Sequence, residues 1–191
     1  MSSKTPFLRS SGLCFHVYNH SVSQTPLFFQ QQNYTYFLKR MADYLDPAAL
    51  TLIAYTLMPN HYHMILRQEK PYAIAQFIKG VCDGYAKAIN VWARRKGHLF
   101  SGRYKINHVD TTDYLLDLSG YIHLNPVRGE LVRFPNEWAF SSCREYCGLR
   151  KSDFLVTRPV LQLLSGGERY IDFLNSYGTA GRERIRRYLV P

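Results

Sequence analysis

Residues 51–69, TLIAYTLMPNHYHMILRQE, constrain this chain more than any other stretch. Two runs rich in β-branched and aromatic residues flank Met58-Pro59-Asn60, and a Pro-Asn pair is a turn signal. Strands near 51–57 and 61–67 therefore meet as an antiparallel hairpin. A sheet holding such a hairpin cannot be purely parallel.

The rest of the chain supplies partners for it. Residues 12–20, GLCFHVYNH, alternate and predict a further strand. In residues 33–45, Tyr34, Phe37, Leu38, Met41, Tyr44 and Leu45 fall at helical spacing, with Asn33 as N-cap and Pro47 beyond the end. Residues 72–95 carry the longest helical stripe: Ile74, Phe77, Ile78, Val81, Tyr85, Ala88, Ile89 and Trp92. Gly97 ends it. Residues 98–109 follow as a strand bulged at Gly102. Asp110-Thr111-Thr112 caps a helix over 112–124, which Asn125-Pro126 should stop, because the residue before proline avoids the helical region. Residues 126–150 read as irregular, and the last forty as helical, broken at Gly166-Gly167 and Gly178. Strands and helices alternate, but around a hairpin, so the fold class is α+β, an antiparallel sheet covered by helices.

Composition narrows the function. A chain of 191 residues, 46% hydrophobic and 20% charged, has enough material for one folded domain with a real core. No run of about 18 uncharged apolar residues spans a membrane, and the first residues, MSSKTPFLRSSGL, lack the apolar segment of a secretory signal. Cys14, Cys82, Cys143 and Cys147 lack paired zinc-site spacing and read as reduced thiols of a cytosolic protein. The net charge of +10 is spread along the chain. Such a field draws polyanions, nucleic acid foremost. With 15% aromatic residues, fifteen of them tyrosines, the chain also offers rings on which unpaired bases stack.

Two local patterns carry chemistry. His61 and His63 stand two apart at the start of a strand, so both imidazoles leave one face with Cα atoms about 6.5–7 Å apart, while Tyr62 points away. They can converge on one metal ion, or simply be partly buried. His16, His20, His98, His108 and His123 show no such arrangement. Tyr121 and Asn125 are four apart and share a helical face, continued by Tyr114 and Leu118. A plain reading makes Tyr121 a core aromatic and Asn125 a helix end. Gly120 sits badly with a plain helix, since glycine costs about 1 kcal/mol relative to alanine there and invites a reason such as close backbone approach.

These residues resemble a known family. Pro59-Asn60-His61-Tyr62-His63 looks like the His-hydrophobic-His signature of the single-tyrosine transposases of the HUH endonuclease superfamily. The block Tyr121-Ile122-His123-Leu124-Asn125-Pro126-Val127-Arg128, then Leu131-Val132, then Trp138-Ala139-Phe140-Ser141-Ser142, resembles their REP-associated branch, as does Gly97-His98-Leu99-Phe100-Ser101-Gly102-Arg103-Tyr104. The four pieces stand in the right order over roughly residues 10–145. The family often has Ala-Gly where this chain has Gly129-Glu130.

The resemblance implies a ferredoxin-like antiparallel sheet, a nuclease domain over residues 1–149 and a helical, basic extension over 150–191 that matches no pattern in the family. It implies a metal pair at His61 and His63, completed by Asn125, and Tyr121 as nucleophile. The cofactor would be Mg²⁺ or Mn²⁺; imidazole ligands by themselves favour Mn²⁺ or softer ions. The implied reaction is cleavage and rejoining of single-stranded DNA through a 5′-phosphotyrosine, at palindromic REP-type hairpins, in a bacterial cytoplasm close to the nucleoid. Phosphate contacts would come from Lys79, Lys87, Arg94, Arg95, Lys96, Arg103, Lys105 and Arg128, with Arg184, Arg186 and Arg187 either gripping a hairpin stem or capping a helix. Either a monomer or a homodimer is compatible, because insertion-sequence relatives exchange the tyrosine helix between subunits and REP-associated relatives look self-contained. Two alternatives stay open: a domesticated DNA-binding protein without catalysis, and a replication or relaxase nuclease of the same superfamily, for which Tyr114 would be the second tyrosine.

Overall fold

The computed structural model describes residues 7–46 and 48–186. Strands β1 (Leu13–His20), β2 (Leu50–Met58), β3 (His61–Gln68) and β4 (Lys105–Val109) form one sheet in the order β2-β3-β1-β4, every neighbour antiparallel. Helix α1 (Gln31–Leu45) joins β1 to β2. A continuous helical rod joins β3 to β4, made of α2 (Ala73–Ile78), a π turn (Lys79–Asp83) and α3 (Gly84–Trp92). This is the βαββαβ ferredoxin-like order. After β4 come α4 (Thr112–Arg128), the one-turn helices α5 (Cys143–Tyr146) and α6 (Arg158–Leu161), and α7 (Tyr170–Arg186).

Alternation along the strands sorts the sheet into two faces. Phe15, Val17, Tyr62, Met64 and Leu66 pack with α1 and the α2–α3 rod in one core. Ile53, Ala54, Ile65 and Val109 pack under α4 and the C-terminal helices in a second. A bulge between Leu52 and Ala54 lets β2 serve both cores. The outer edge of β2 is covered, not bare. Leu57 donates to Phe140 O at 2.9 Å, Ser142 to Tyr55 O at 3.0 Å and Val156 to Leu52 O at 2.9 Å. Arg150 locks this cover by bonding the Glu145 carboxylate, the Ala139 and Ser141 carbonyls and the Tyr55 hydroxyl. An unprotected edge would template pairing with other chains.

Several boundaries differ from the sequence expectation, each for a local reason. Asn33 is not the N-cap of α1; Gln30 is, and the Asn33 side chain accepts from the amides of Phe29 and Gln30 at 3.0 and 3.1 Å. Residues 98–104 are loop, and only Lys105–Val109 forms a strand. Gly97 and Gly102 have φ of 91° and 76°, and the loop instead bonds across to His20 and Val22. Arg103 therefore lies on a loop. Helix α4 does not stop at Asn125 but runs through Pro126 to Arg128. So near its end, proline forfeits one backbone bond while its ring is buried, and Gly129 and Leu131 still bond back to Asn125 and Pro126. Gly166-Gly167 do break the chain, at φ of 56° and 79°, whereas Gly178 lies inside α7.

The glycine in α4 finds its reason in α7. A Cβ at Gly120 would stand 3.0 Å from ring carbons of Tyr177 and 3.1 Å from Phe173, so the bare backbone lets the two helices close together. Tyr177 adds a hydrogen bond to Asp117 O, and Arg184 grips the Asp117 carboxylate with two bonds of 2.8 Å. The C-terminal segment thus shares its core with the helix that carries Tyr121.

Candidate metal and nucleophile site

Antiparallel pairing brings the start of β3 beside the end of β1, with His61 opposite His20 and His63 opposite Tyr18. His61 and His63 leave the sheet on the α4 face, their rings 5.2 Å apart and near perpendicular. From α4, Tyr121 presents its ring edge-on to His63 at 5.5 Å. Asn125, one turn further along, donates to Tyr121 O at 2.8 Å, and its side chain lies within hydrogen-bonding reach of the His61 imidazole and the Tyr121 hydroxyl. The four residues expected from sequence are thus neighbours in space. Tyr121 is half-buried, not enclosed.

Two residues the sequence did not single out complete the surroundings. His16, fully buried on β1, places Nε2 2.9 Å from Nδ1 of His63. Tyr18 stacks on both imidazoles, 4.6 Å from His16 and 5.4 Å from His63. The alternation of β1 put His16 and Tyr18 on one face, but the pairing of β1 with β3, which brings them to His63, is not a local signal.

These contacts leave the right atoms available for a metal. Nδ1 of His61 is 2.7 Å from Asn60 Oδ1 and Nδ1 of His63 faces His16, so both Nε2 atoms are unengaged by those bonds. Burial pushes the pKa of His61 down and that of His63 well down, which keeps both rings neutral with lone pairs present near pH 7. Among the described residues no group of three His, Cys, Asp or Glu gathers at one point. Two imidazoles and one amide thus leave most of a cation's positions for water and substrate oxygens, a donor set that can hold a divalent ion such as Mn²⁺.

The phenol has opposing influences. Burial raises the pKa of Tyr121; Arg128, whose guanidinium carbon is 5.0 Å from the ring centroid, and Asn125 pull it down, while Tyr18 opposes them. Arg128 reaches the Tyr121 ring because α4 continues through Pro126.

The basic residues divide. Lys105 reaches to 5.9 Å over the Tyr18 ring and Arg128 flanks Tyr121, so both border the site. Lys79 and Lys87 are exposed on the helical rod, which covers the opposite face of the sheet. Arg94, Lys96 and Arg103 are exposed beyond that rod, and Arg95 donates to His98 O. Arg184 is engaged with Asp117, Arg186 is exposed, and Arg187 lies outside the described residues. His123 faces away from the imidazole pair, into a buried polar network: its ring nitrogens lie 2.7 Å from the Tyr170 hydroxyl and 2.7 Å from Ser142 Oγ.

Comparison with known proteins identifies the family. The model of the family described as IS200-like transposase matches residues 11–125, more than half of the chain and all four residues from His61 to Asn125. No curated protein matches significantly. Among solved structures, a REP-associated tyrosine transposase bound to a REP hairpin superposes with a TM-score of 0.61 at 18% identity, over 88% of this chain and 98% of that one. A candidate transposase from Deinococcus radiodurans R1 gives a TM-score of 0.44 at 14% identity, over 69% and 92%. On the strength of the matched family model, the chain belongs to the IS200-like transposases.

Proposed function

We propose that this protein cleaves and rejoins single-stranded DNA, with Tyr121 as nucleophile and His61, His63 and Asn125 holding Mg²⁺ or Mn²⁺. One observation carries the reading: a half-buried phenol on α4 stands edge-on to the neutral imidazole of His63, which neighbours that of His61, and lies beside Arg128. An ion bound there would act as a Lewis acid on the scissile phosphate. The rest falls to the side chains. Arg128 stabilises the phenolate that attacks phosphorus, and Asn125 orients the phenol against His61. Attack joins the Tyr121 oxygen to phosphorus and releases a 3′-hydroxyl. Because one phosphodiester replaces another, the reverse attack by a 3′-hydroxyl reseals the strand without ATP.

His16 supports this arrangement as a positioning residue. For His63 to offer Nε2, the ring proton must sit on Nδ1, and the His16 nitrogen at 2.9 Å is there to accept it. Helix α4 packs on β2 and α7 of its own chain, which favours a tyrosine acting in cis in a monomer. The substrate we propose is a palindromic REP-type hairpin with single-stranded flanks; the superposed transposase is bound to a REP hairpin. Residues 1–149 would be the nuclease domain, and the 150–191 extension would brace the tyrosine helix through Gly120 and Asp117.

The test is incubation with labelled single-stranded hairpin oligonucleotides and Mn²⁺. A protein–DNA band that survives denaturation is expected from the wild type and absent from Tyr121→Phe, which still binds DNA. His61→Ala and added EDTA each stop cleavage. An adduct at full yield from Tyr121→Phe removes the nucleophile assignment, and normal cleavage in EDTA removes the metal. A domesticated binder would shift the oligonucleotide without ever forming the band.

A further inference from the structure

Trp92 and Phe29 are large aromatic side chains left 51% and 42% exposed, and they lie side by side with ring centroids 5.9 Å apart. Trp92 ends α3, and Val91 beside it is 80% exposed. About half of each ring's surface faces solvent, and that exposed apolar surface is available to a ligand. Their surroundings say which. Residues 84–109 carry Lys87, Arg94, Arg95, Lys96, Arg103 and Lys105 and not one carboxylate, and residues 11–38 carry no charged side chain at all. These two segments are packed together: Val22 donates to Leu99 O at 3.1 Å, Ser101 to His20 O at 2.8 Å, and the Tyr85 hydroxyl to Leu27 O. The surface they form is therefore cationic and almost free of acids. An open groove of about 570 Å³ runs beside it, lined by Lys79, Lys87, Asn90, His98 and Arg103, with Asp83 its one carboxylate.

The same surface is anchored to the candidate site. The amides of Leu27 and Phe28 both donate to Pro59 O, at 2.7 and 3.1 Å, in the turn that leads directly into His61.

We infer that Phe29 and Trp92 form a stacking platform for unpaired bases of single-stranded DNA, whose phosphates lie along Lys87, Arg94, Lys96 and Arg103. This rests on the proposed action on single-stranded DNA and adds a second, non-catalytic subsite for the flanking strand. Rings and cations in alternation are what a strand with splayed bases needs. Lysine and arginine alone would hold a duplex equally well.

The experiment uses the full chain in EDTA, so that nothing is cut. A fluorescently labelled dT12 oligonucleotide and an abasic strand of equal length are titrated while anisotropy and tryptophan emission are followed. Wild type should bind dT12 more tightly than the abasic strand, with tryptophan emission quenched by dT12 alone. Trp92→Ala and Phe29→Ala should each lose at least about five-fold in dT12 affinity, the lower end for one stacked base. Both should bind the abasic strand as wild type does, and Trp92→Phe should restore most of the loss. Equal binding of dT12 by wild type and Trp92→Ala overturns the platform, as does equal wild-type binding of dT12 and the abasic strand. Loss of the Tyr121 adduct with this pattern intact would count against the nuclease reading and leave the platform standing.

Discussion

Acid should loosen this protein through His123, and the size of the effect follows from its surroundings. The ring is fully buried between Tyr170 and Ser142, and burial pushes its pKa down from about 6.5 to about 3. The sign is that of a depressed group: the unfolded chain binds the proton first. Stability is therefore whole above pH 6.5 and is lost as pH falls toward 3. The slope in that window approaches about 1.4 kcal/mol per pH unit for one histidine. Between pH 7 and pH 5 the loss from His123 integrates to about 2 kcal/mol. His123→Gln removes the titration while leaving a side chain that can donate and accept. At pH 7 its two imperfectly replaced hydrogen bonds should lower stability by about 1–2 kcal/mol. At pH 5 the variant should match or exceed the wild type. Urea unfolding of both proteins at pH 7, 6 and 5, in EDTA and without DNA, measures this, because other histidines contribute equally to both. Parallel stability curves for wild type and variant across that range would refute the reasoning.

Other outcomes follow from the same geometry. His16→Leu should weaken Mn²⁺ binding, followed by electron paramagnetic resonance of the free ion, by about 10- to 100-fold, with His16→Gln recovering much of it because glutamine places an acceptor near the lost Nε2. Unchanged affinity in His16→Leu, alongside a large loss in His61→Ala, would strike His16 alone. Gly120→Val should lower stability by about 1–3 kcal/mol in thermal unfolding, since ring carbons 3.0 Å from a first added carbon leave no room for two more. Arg150→Ala should lose about 3–5 kcal/mol, because Glu145 is left a largely buried, unpaired carboxylate and the cover over β2 comes loose. DNA affinity should fall steeply between 50 and 200 mM salt, and Lys105→Ala should flatten that slope by about one counterion if the lysine holds a phosphate.

Half of the candidate site is legible in the sequence. His61 and His63 share a face because strands alternate, and Tyr121 and Asn125 share one because helices repeat every 3.6 residues. Both are consequences of spacing within a single element. The β2–β3 hairpin is equally local, written in two β-rich runs around Pro59-Asn60. The contacts made between elements are not legible in this way. His16 and His63 are 47 residues apart, and no period in the sequence relates them.

Local rules also fail where tertiary packing outweighs them. The residue before proline disfavours helix, yet α4 continues past Asn125, and this brings Arg128 over the Tyr121 ring. The glycine at 120 announces a close approach without naming the partner, which is α7. Arg184 resembles a DNA contact in the sequence and is bonded in the fold to Asp117, 67 residues earlier.

Sequence alone therefore determined which side chains share a face of each strand and helix, since that depends only on backbone repeat. Only the tertiary structure decided that β1 lies between β3 and β4 and that α4 crosses over the histidine end of the sheet. Those choices rest on burying two apolar faces at once, and burial is a property of the whole chain.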